Sequence, residues 1–156
     1  NGINLNELAD GLNQYSLVVT YNGKSFDIPF IEKYFKTKIN AAHLDLRYIL
    51  SSLGYKGGLK RCEELLSLPV RAGLKDVDGF MAVLLWNYYQ KTKDEKALET
   101  LLAYNFEDTV RLEWLMNEAF NQKLNQYGFK TSQIKHRDIP INPYRASTKI
   151  LNQLSW

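Results

Sequence analysis

A short apolar run, a turn and a second apolar run constrain the fold of this chain more than any other feature. Residues 17–21, Leu-Val-Val-Thr-Tyr, are apolar or β-branched, which is typical of a strand covered on both faces. Residues 42–46, Ala-His-Leu-Asp-Leu, indicate a second short strand. Between them, Pro29 suits the first turn of a helix whose N-cap lies near Asp27. Strand, helix and strand predict an α/β layer fold with parallel strands.

The rest of the chain carries mainly helical patterns. Helices are predicted over residues 5–15, 28–35, 47–53, 59–66, 78–90, 94–124 and 146–154. Either Asp76 or Asp78 is predicted to cap the helix that follows them. We interpret residues 1–125 as one domain and residues 126–156, where the periodicity fades, as a basic C-terminal arm.

Two parallel strands are too few for a sheet of this kind. Parallel sheets normally contain more strands and are covered on both faces. We therefore expect a second chain or a missing N-terminal segment to complete the sheet. Without it, residues 17–21 would present a hydrophobic edge that favours pairing with other chains.

Composition excludes several classes of protein. The 156 residues are enough for one domain with its own core, and 45% of them are hydrophobic. No apolar run approaches the roughly 18 residues of a membrane span, and no signal peptide is recognisable. The single cysteine, Cys62, cannot form an internal disulfide and is expected to be buried and unreactive. We therefore expect a cytoplasmic protein with no membrane partner.

Positive charge is concentrated towards the C-terminal end. The net charge is +3, yet residues 121–156 carry six basic residues and one acidic residue, so the preceding residues are slightly acidic overall. Basic segments bind phosphate backbones through the release of counterions. A solvated basic tail is the alternative. The candidate nucleic-acid contacts are Lys130, Lys135, Arg137 and Arg145.

An acidic side chain lies on an apolar face of a predicted helix. Tyr104 and Asp108 are four positions apart and therefore share this face with three leucines. Burial of an unpaired carboxylate costs several kcal/mol, so Asp108 should be paired, hydrogen-bonded or bound to a metal. The alternative is a structural aspartate held by a nearby base such as Arg111.

A second acidic side chain follows the first strand. Asp27 ends the motif Asn22-Gly-Lys-Ser-Phe-Asp, near the carboxyl end of the strand, where ligands gather in open α/β sheets. Asn22 can hold this loop through its amide, Phe26 can pack beneath it, and Lys24 is a candidate substrate contact. The alternative is that Asp27 only caps the helix 28–35. Two converging aspartates and a tyrosine are the beginnings of a divalent-metal phosphodiester site.

Other well-known sites do not match. Residues 23–25, Gly-Lys-Ser, lack the first glycine that a P-loop requires. Residues 76–79, Asp-Val-Asp-Gly, lack the remaining ligands of a calcium loop, so helix capping explains them better. The two histidines, His43 and His136, have no zinc-ligand spacing.

The two acidic motifs resemble those of the ribonuclease H-like DEDD (DnaQ-like) exonucleases. Residues 21–30 are similar to the second motif of these enzymes, and Tyr104-x-x-x-Asp108 is similar to the third motif in its tyrosine-bearing form. Three further segments resemble a YprB-like branch of predicted exonucleases, namely residues 43–46, 58–60 and 76–89. The resemblance covers roughly residues 5–120.

This resemblance implies a metal-dependent 3′-to-5′ exonuclease that acts on single-stranded 3′ ends of DNA or RNA. It implies a ribonuclease H-like fold with a central five-stranded sheet and two Mg²⁺ or Mn²⁺ ions. Carried over by position, Asp108 would bind the first metal and Asp27 would help to hold the second. Tyr104 would orient the attacking water.

One part of the resemblance fails. The first motif of these exonucleases is Asp-x-Glu on the first strand, and this sequence contains no Asp-x-Glu. We therefore expect the C-terminal portion of the fold, with about two parallel strands and several helices, without its first three strands and inactive alone. The alternatives are a non-catalytic nucleic-acid-binding module of the same fold and a structural protein in which the two aspartates form only a cap and an ion pair.

Overall fold

The computed structural model describes residues 5–75 and 77–155, and their helices and strands follow the predicted order. Two strands and seven helices lie within these residues, so the α/β arrangement is mostly helical. The elements are α1 (Leu5–Leu12), β1 (Leu17–Thr20), α2 (Asp27–Phe35), β2 (Ala42–Asp45), α3 (Leu46–Ser52), α4 (Leu59–Leu65), α5 (Gly79–Thr92), α6 (Glu95–Gln126) and α7 (Thr148–Leu154).

The two strands pair in parallel, as predicted. Leu17 lies opposite Ala42 and Thr20 lies opposite Asp45, so the carboxyl ends of both strands are side by side. β-branched residues favour the strand conformation of β1. The prediction that β1 is covered on both faces is wrong for the described chain, because Leu17 is exposed and the rest of the strand is only half-buried.

Polar side chains mark the beginnings of several helices. Asp78 caps α5 by accepting a hydrogen bond from the Met81 amide at 2.8 Å, whereas Asp76, the other predicted cap, lies outside the described residues. Ser147 caps α7 in the same way. At α2 the N-cap is Phe26, which makes no side-chain capping bond, and Asp27 is the first helical residue. Asp27 therefore does not act as the cap itself.

The chain divides into two compact units. The first unit comprises Asn1–Leu65 and Leu115–Lys135, and the second comprises Leu66–Trp114 and His136–Trp156. Helix α6 contributes residues to both. Buried apolar side chains of the first unit include Leu46, Leu50, Cys62, Leu115 and Ala119.

The C-terminal segment contributes to the core of the second unit. Ile150 on α7 is buried in a cluster with residues of α5, α6 and the loop before α5, namely Leu74, Val77, Leu85, Ala97 and Ala103. Lys130, Lys135 and Arg145, within the predicted basic arm, are exposed. The predicted arm therefore places the apolar side chain of Ile150 in a core and presents its basic side chains to solvent.

Candidate functional site

A tyrosine and an aspartate lie one turn apart on α6, in the second unit. The Tyr104 hydroxyl is hydrogen-bonded to the Asp108 carboxylate, because positions i and i+4 share a helix face. Burial raises the pKa of Tyr104 far above its ordinary value, and the negative charge of Asp108 raises it further. The hydroxyl therefore stays protonated at neutral pH and donates its hydrogen to the carboxylate.

A buried arginine neutralises Asp108. Arg71 Nη1 donates to Asp108 Oδ1, with Arg71 only 4% exposed and the Asp108 side chain 30% exposed. A buried guanidinium requires a counter-charge, which Asp108 supplies here. The alternative of a structural aspartate held by a nearby base therefore has support, with Arg71 as the base where the sequence suggested Arg111 as an example.

Arg111 belongs to a second buried ion pair. Its Nε donates to Glu107 at 2.6 Å, and its Nη1 donates to the Pro69 carbonyl at 2.7 Å. Asn142 donates to Glu107 at 3.1 Å and to the Ala103 carbonyl at 2.9 Å. These contacts tie two loop segments to α6. Sequence reasoning missed Glu107, although its spacing of four residues from Arg111 was the available signal.

In the first unit, Asp45 holds the loop that follows β1. Its Oδ1 accepts hydrogen bonds from the amides of Asn22 at 2.7 Å and Arg47 at 3.1 Å, and its Oδ2 accepts one from the Lys24 amide at 2.9 Å. Asp45 is buried, and three amide donors offset the cost of removing its charge from water. Asp45 therefore both caps α3 and holds the loop that contains Asn22 and Lys24. Sequence reasoning assigned it no such role, although an aspartate directly before a helix is a capping signal.

The loop itself depends on two further residues. Asn22 has a positive φ of 67°, and its side-chain oxygen accepts hydrogen bonds from Ser25 Oγ at 2.8 Å and from Arg47 Nη1. The prediction that the Asn22 amide holds the loop is confirmed. Gly23 is buried against Thr20, and a Cβ there would lie 2.5 Å from Thr20 Oγ1, so only glycine fits.

Three candidate residues of this loop and of α2 lie on the surface of the first unit. Phe26 is 73% exposed, so the prediction that it packs beneath the loop is wrong. Lys24 is exposed, and its Nζ lies 6.0 Å from the centre of the Tyr48 ring. Asp27 is exposed at the first residue of α2. Phe26 differs from its prediction because its ring is not covered by other side chains of the described chain.

The structure brings some of the candidate residues into contact and places others in separate units. Tyr104 and Asp108 touch in the second unit, whereas Asp27 belongs to the first unit. Among the basic candidates, Arg137 forms an exposed ion pair with Glu113 at 3.5 Å. The catalytic, metal-binding and nucleic-acid-binding roles of these side chains stay predictions.

Comparison with known protein families identifies the superfamily of this chain. Residues 2–120 match the RNase H superfamily. The chain belongs to the RNase H superfamily. Membership suggests nuclease-like processing of nucleic acids, and RNase H superfamily proteins usually use divalent metals. No curated protein and no solved structure matches this member significantly.

The sequence predicts no membrane span, and the described helices agree. Within residues 5–75 and 77–155, no helix of this RNase H superfamily member is both long and apolar enough to cross a membrane.

The described carboxylates do not fit a two-metal site by themselves. Across the described part of the chain, no three His, Cys, Asp or Glu side chains are grouped so that they could hold a metal ion. Asp108 Oδ1 is occupied by the Arg71 guanidinium, whose positive charge repels a metal ion. Both oxygens of Asp45 accept backbone hydrogen bonds. A metal at Asp108 would therefore have to bind beside the Arg71 guanidinium, against its positive charge.

Proposed function

We propose that the protein is a 3′-to-5′ exonuclease that hydrolyses phosphodiester bonds at single-stranded ends of DNA or RNA. Its proposed catalytic residues are Tyr104, Asp108 and Asp27. The observation that carries the proposal is the hydrogen-bonded Tyr104–Asp108 pair in a chain of the RNase H superfamily. The proposed substrate contacts are Asn22, Lys24 and Phe26.

The pair supplies two groups that can align a water molecule. Tyr104 keeps its proton because its pKa lies far above neutral pH, so its hydroxyl can both donate and accept hydrogen bonds. Asp108 is held on one side by Arg71 and retains a partly exposed edge. A positioned side chain of this kind typically contributes about 10²- to 10⁴-fold to a proton-transfer step.

An exonuclease assay on the complete protein tests the proposal. A single strand labelled at its 5′ end is incubated with wild type and with Asp108→Asn, with Mg²⁺, with Mn²⁺ and with chelator. We expect Asp108→Asn to lower the rate of shortening from the 3′ end by about a hundredfold or more, since it removes the negative charge and one of the two acceptor oxygens. Glu113→Gln is the matched control, because Glu113 is an exposed carboxylate on the same helix.

A second variant separates catalysis from folding. Asp108→Asn leaves the Arg71 guanidinium without its full counter-charge and can therefore unfold the second unit. Tyr104→Phe removes only a hydroxyl, and Tyr15→Phe, at an exposed tyrosine, is its control. Full activity in folded Tyr104→Phe and folded Asp108→Asn would rule out the proposed catalytic pair.

A non-catalytic nucleic-acid-binding module is the second candidate function. The observation that favours it is the Arg71–Asp108 ion pair, which places a positive charge where a metal-dependent nuclease needs a free carboxylate. Near the C-terminal end of α6, the exposed rings of Tyr127 and Phe129 lie 6.4 Å apart. Basic side chains with exposed aromatic rings suit single-stranded nucleic acid.

Point substitutions test this second function, because deletion of the C-terminal segment would remove Ile150 from a core. The binding module predicts metal-independent binding that weakens steeply with salt. Replacement of Lys130 and Lys135 by methionine should lower the affinity and the salt dependence together. Unchanged binding in this double variant would count against a role for the basic segment.

A further inference from the structure

A polar pocket of the first unit lies where both parallel strands end. Its volume is about 490 Å³, within the range of about 300–1,000 Å³ that is usual for small-molecule sites. Tyr21 and Asn22, which line it, follow the last residue of β1, and Arg47 lies in the first turn of α3 directly after β2. Ligands of α/β folds bind at the carboxyl ends of the strands.

The charged side chains that line this pocket are both cations. Arg47 and Lys56 are exposed, and no described lining residue is acidic. Asp45, which precedes Arg47, is buried and turns its oxygens to backbone amides. Asn22 accepts a hydrogen bond from Arg47 Nη1, which orients the guanidinium. A guanidinium carries five N–H donors, so this contact leaves it able to bind a phosphate as well.

Two tyrosine rings form walls of the same pocket. The Tyr55 hydroxyl is hydrogen-bonded to Gln122 at 3.0–3.1 Å, and the Tyr21 hydroxyl lies 3.7 Å from Cys62 Sγ. Both rings are therefore held at their hydroxyl ends. Fixed aromatic rings beside cations are the arrangement that binds nucleobases by stacking.

The glycine at position 58 keeps part of the pocket wall open. Gly58 lines the pocket with a positive φ of 93°, a conformation that side chains disfavour. A Cβ placed there would meet no atom within 4 Å, so the backbone faces open space. A ligand can therefore approach the main chain closely at this position.

We propose that this pocket binds one nucleotide unit, with its phosphate on Arg47 and Lys56 and its base against Tyr55. The choice of a nucleotide rests on the proposed function, which the pocket deepens by giving it a binding site in the first unit. Two sources supply this chemistry, namely the backbone of a nucleic-acid strand and a free nucleoside monophosphate. Their shared features are a phosphate and a base.

Calorimetric titrations of the full chain, with chelator present to prevent hydrolysis, test the pocket. The probes are adenosine 5′-monophosphate and a six-residue oligothymidylate. We expect the double variant Arg47→Met/Lys56→Met to bind at least about tenfold more weakly, as expected for loss of charged phosphate contacts. The control is Lys33→Met/Lys38→Met, which removes the same charge from exposed lysines of the first unit outside the pocket.

The two probes identify the source of the phosphate. If the pocket variant loses affinity for the monophosphate and the lysine control does not, the pocket is a site for a free nucleotide. If the pocket variant loses affinity for the oligonucleotide alone, the pocket is a site for a strand. Equal affinities in the pocket variant and the lysine control would overturn the proposal, as would no binding of either probe to wild type. Lys56→Met alone gives a pocket variant that keeps the Arg47–Asn22 hydrogen bond.

The base position has its own test. Tyr55→Leu should weaken binding of the monophosphate while leaving binding of pyrophosphate unchanged, because only the former has a base to stack. Equal effects on both ligands would contradict the stacking role. A protein without nuclease activity that still binds nucleotide through Arg47 and Lys56 would refute the proposed nuclease function but support the proposed binding site.

Discussion

At the scale of single residues, Asp108 has two neighbours that act on it in different ways. Tyr104 gives it a neutral hydrogen bond, whereas Arg71 gives it a full positive charge. The arginine is almost completely buried, but the aspartate keeps a partly exposed side chain. Loss of the carboxylate therefore leaves a cation in the interior, while loss of the arginine leaves a carboxylate that water can reach.

This asymmetry predicts unequal costs for breaking the pair. Asp108→Asn should lower the free energy of unfolding by about 1–3 kcal/mol, less than for a fully buried pair because Asp108 is partly solvated. Arg71→Met should cost less, since methionine fills part of the buried space. Urea denaturation of both single variants and the double variant measures these values. Strictly additive costs would show that the two side chains do not interact energetically.

Tyr104 predicts a change in stability at high pH. Its pKa is raised in the folded protein, whereas an unfolded tyrosine ionises near pH 10. Above about pH 10 the unfolded chain therefore loses a proton that the folded chain keeps, so stability falls as pH rises. Tyr104→Phe should reduce this fall, and denaturation curves between pH 8 and pH 11 measure it. An unaltered slope in Tyr104→Phe would contradict the prediction.

At the scale of elements, Asp45 connects a strand end, a loop and a helix start. Its carboxylate accepts hydrogen bonds from the amides of Asn22, Lys24 and Arg47. Asp45→Ala should therefore lower the free energy of unfolding by about 2 kcal/mol, as loss of a cap and of buried hydrogen bonds requires. It should also speed hydrogen exchange at the amides of residues 22 and 24.

A matched variant isolates this effect on the loop. Asp94 accepts a hydrogen bond from the Lys96 amide at the start of α6, without holding a second element in this way. Asp94→Ala should cost stability but leave exchange in the loop unchanged. Slow exchange at residues 22 and 24 in Asp45→Ala would show that the loop is held by other contacts.

Helix α7 gives a second prediction at this scale. Ile150 is 3% exposed and packs in the core of the second unit, so Ile150→Ala should destabilise the protein by about 2–4 kcal/mol. Lys149→Ala changes an exposed neighbour on the same helix and should have little effect. Thermal unfolding of both variants provides the comparison. Equal melting temperatures would mean that α7 does not contribute to the core.

At the scale of the whole molecule, local patterns predicted the elements, and long-range partners could not be predicted. The strand predicted at residues 17–21, Pro29 and the Asp78 cap depend on neighbours in sequence. The strand forms over residues 17–20, and Pro29 and Asp78 lie at helix starts as predicted. Asp108 and Arg71 are 37 positions apart, and nothing local distinguishes Arg71 from Arg111 as the partner. Tertiary packing decides such choices.

The sheet shows how strand register decides which residues meet. Its two strands pair through a register that aligns Thr20 with Asp45, and this alignment brings the Asp45 carboxylate to the loop. Leu17 in β1 is exposed, and the other residues of this strand are half-buried. Both strands lie within residues 2–120, the range that matches the RNase H superfamily.

The most direct test of the central claim is the shortening of a single strand by the complete protein, followed over time on a denaturing gel. A label at the 5′ end reports loss from the 3′ end as a descending ladder. We predict a ladder with wild type and Tyr15→Phe, and a rate about a hundredfold lower with folded Tyr104→Phe. Shortening by folded Tyr104→Phe at the wild-type rate, or no shortening by wild type with Mg²⁺ or Mn²⁺, would contradict it.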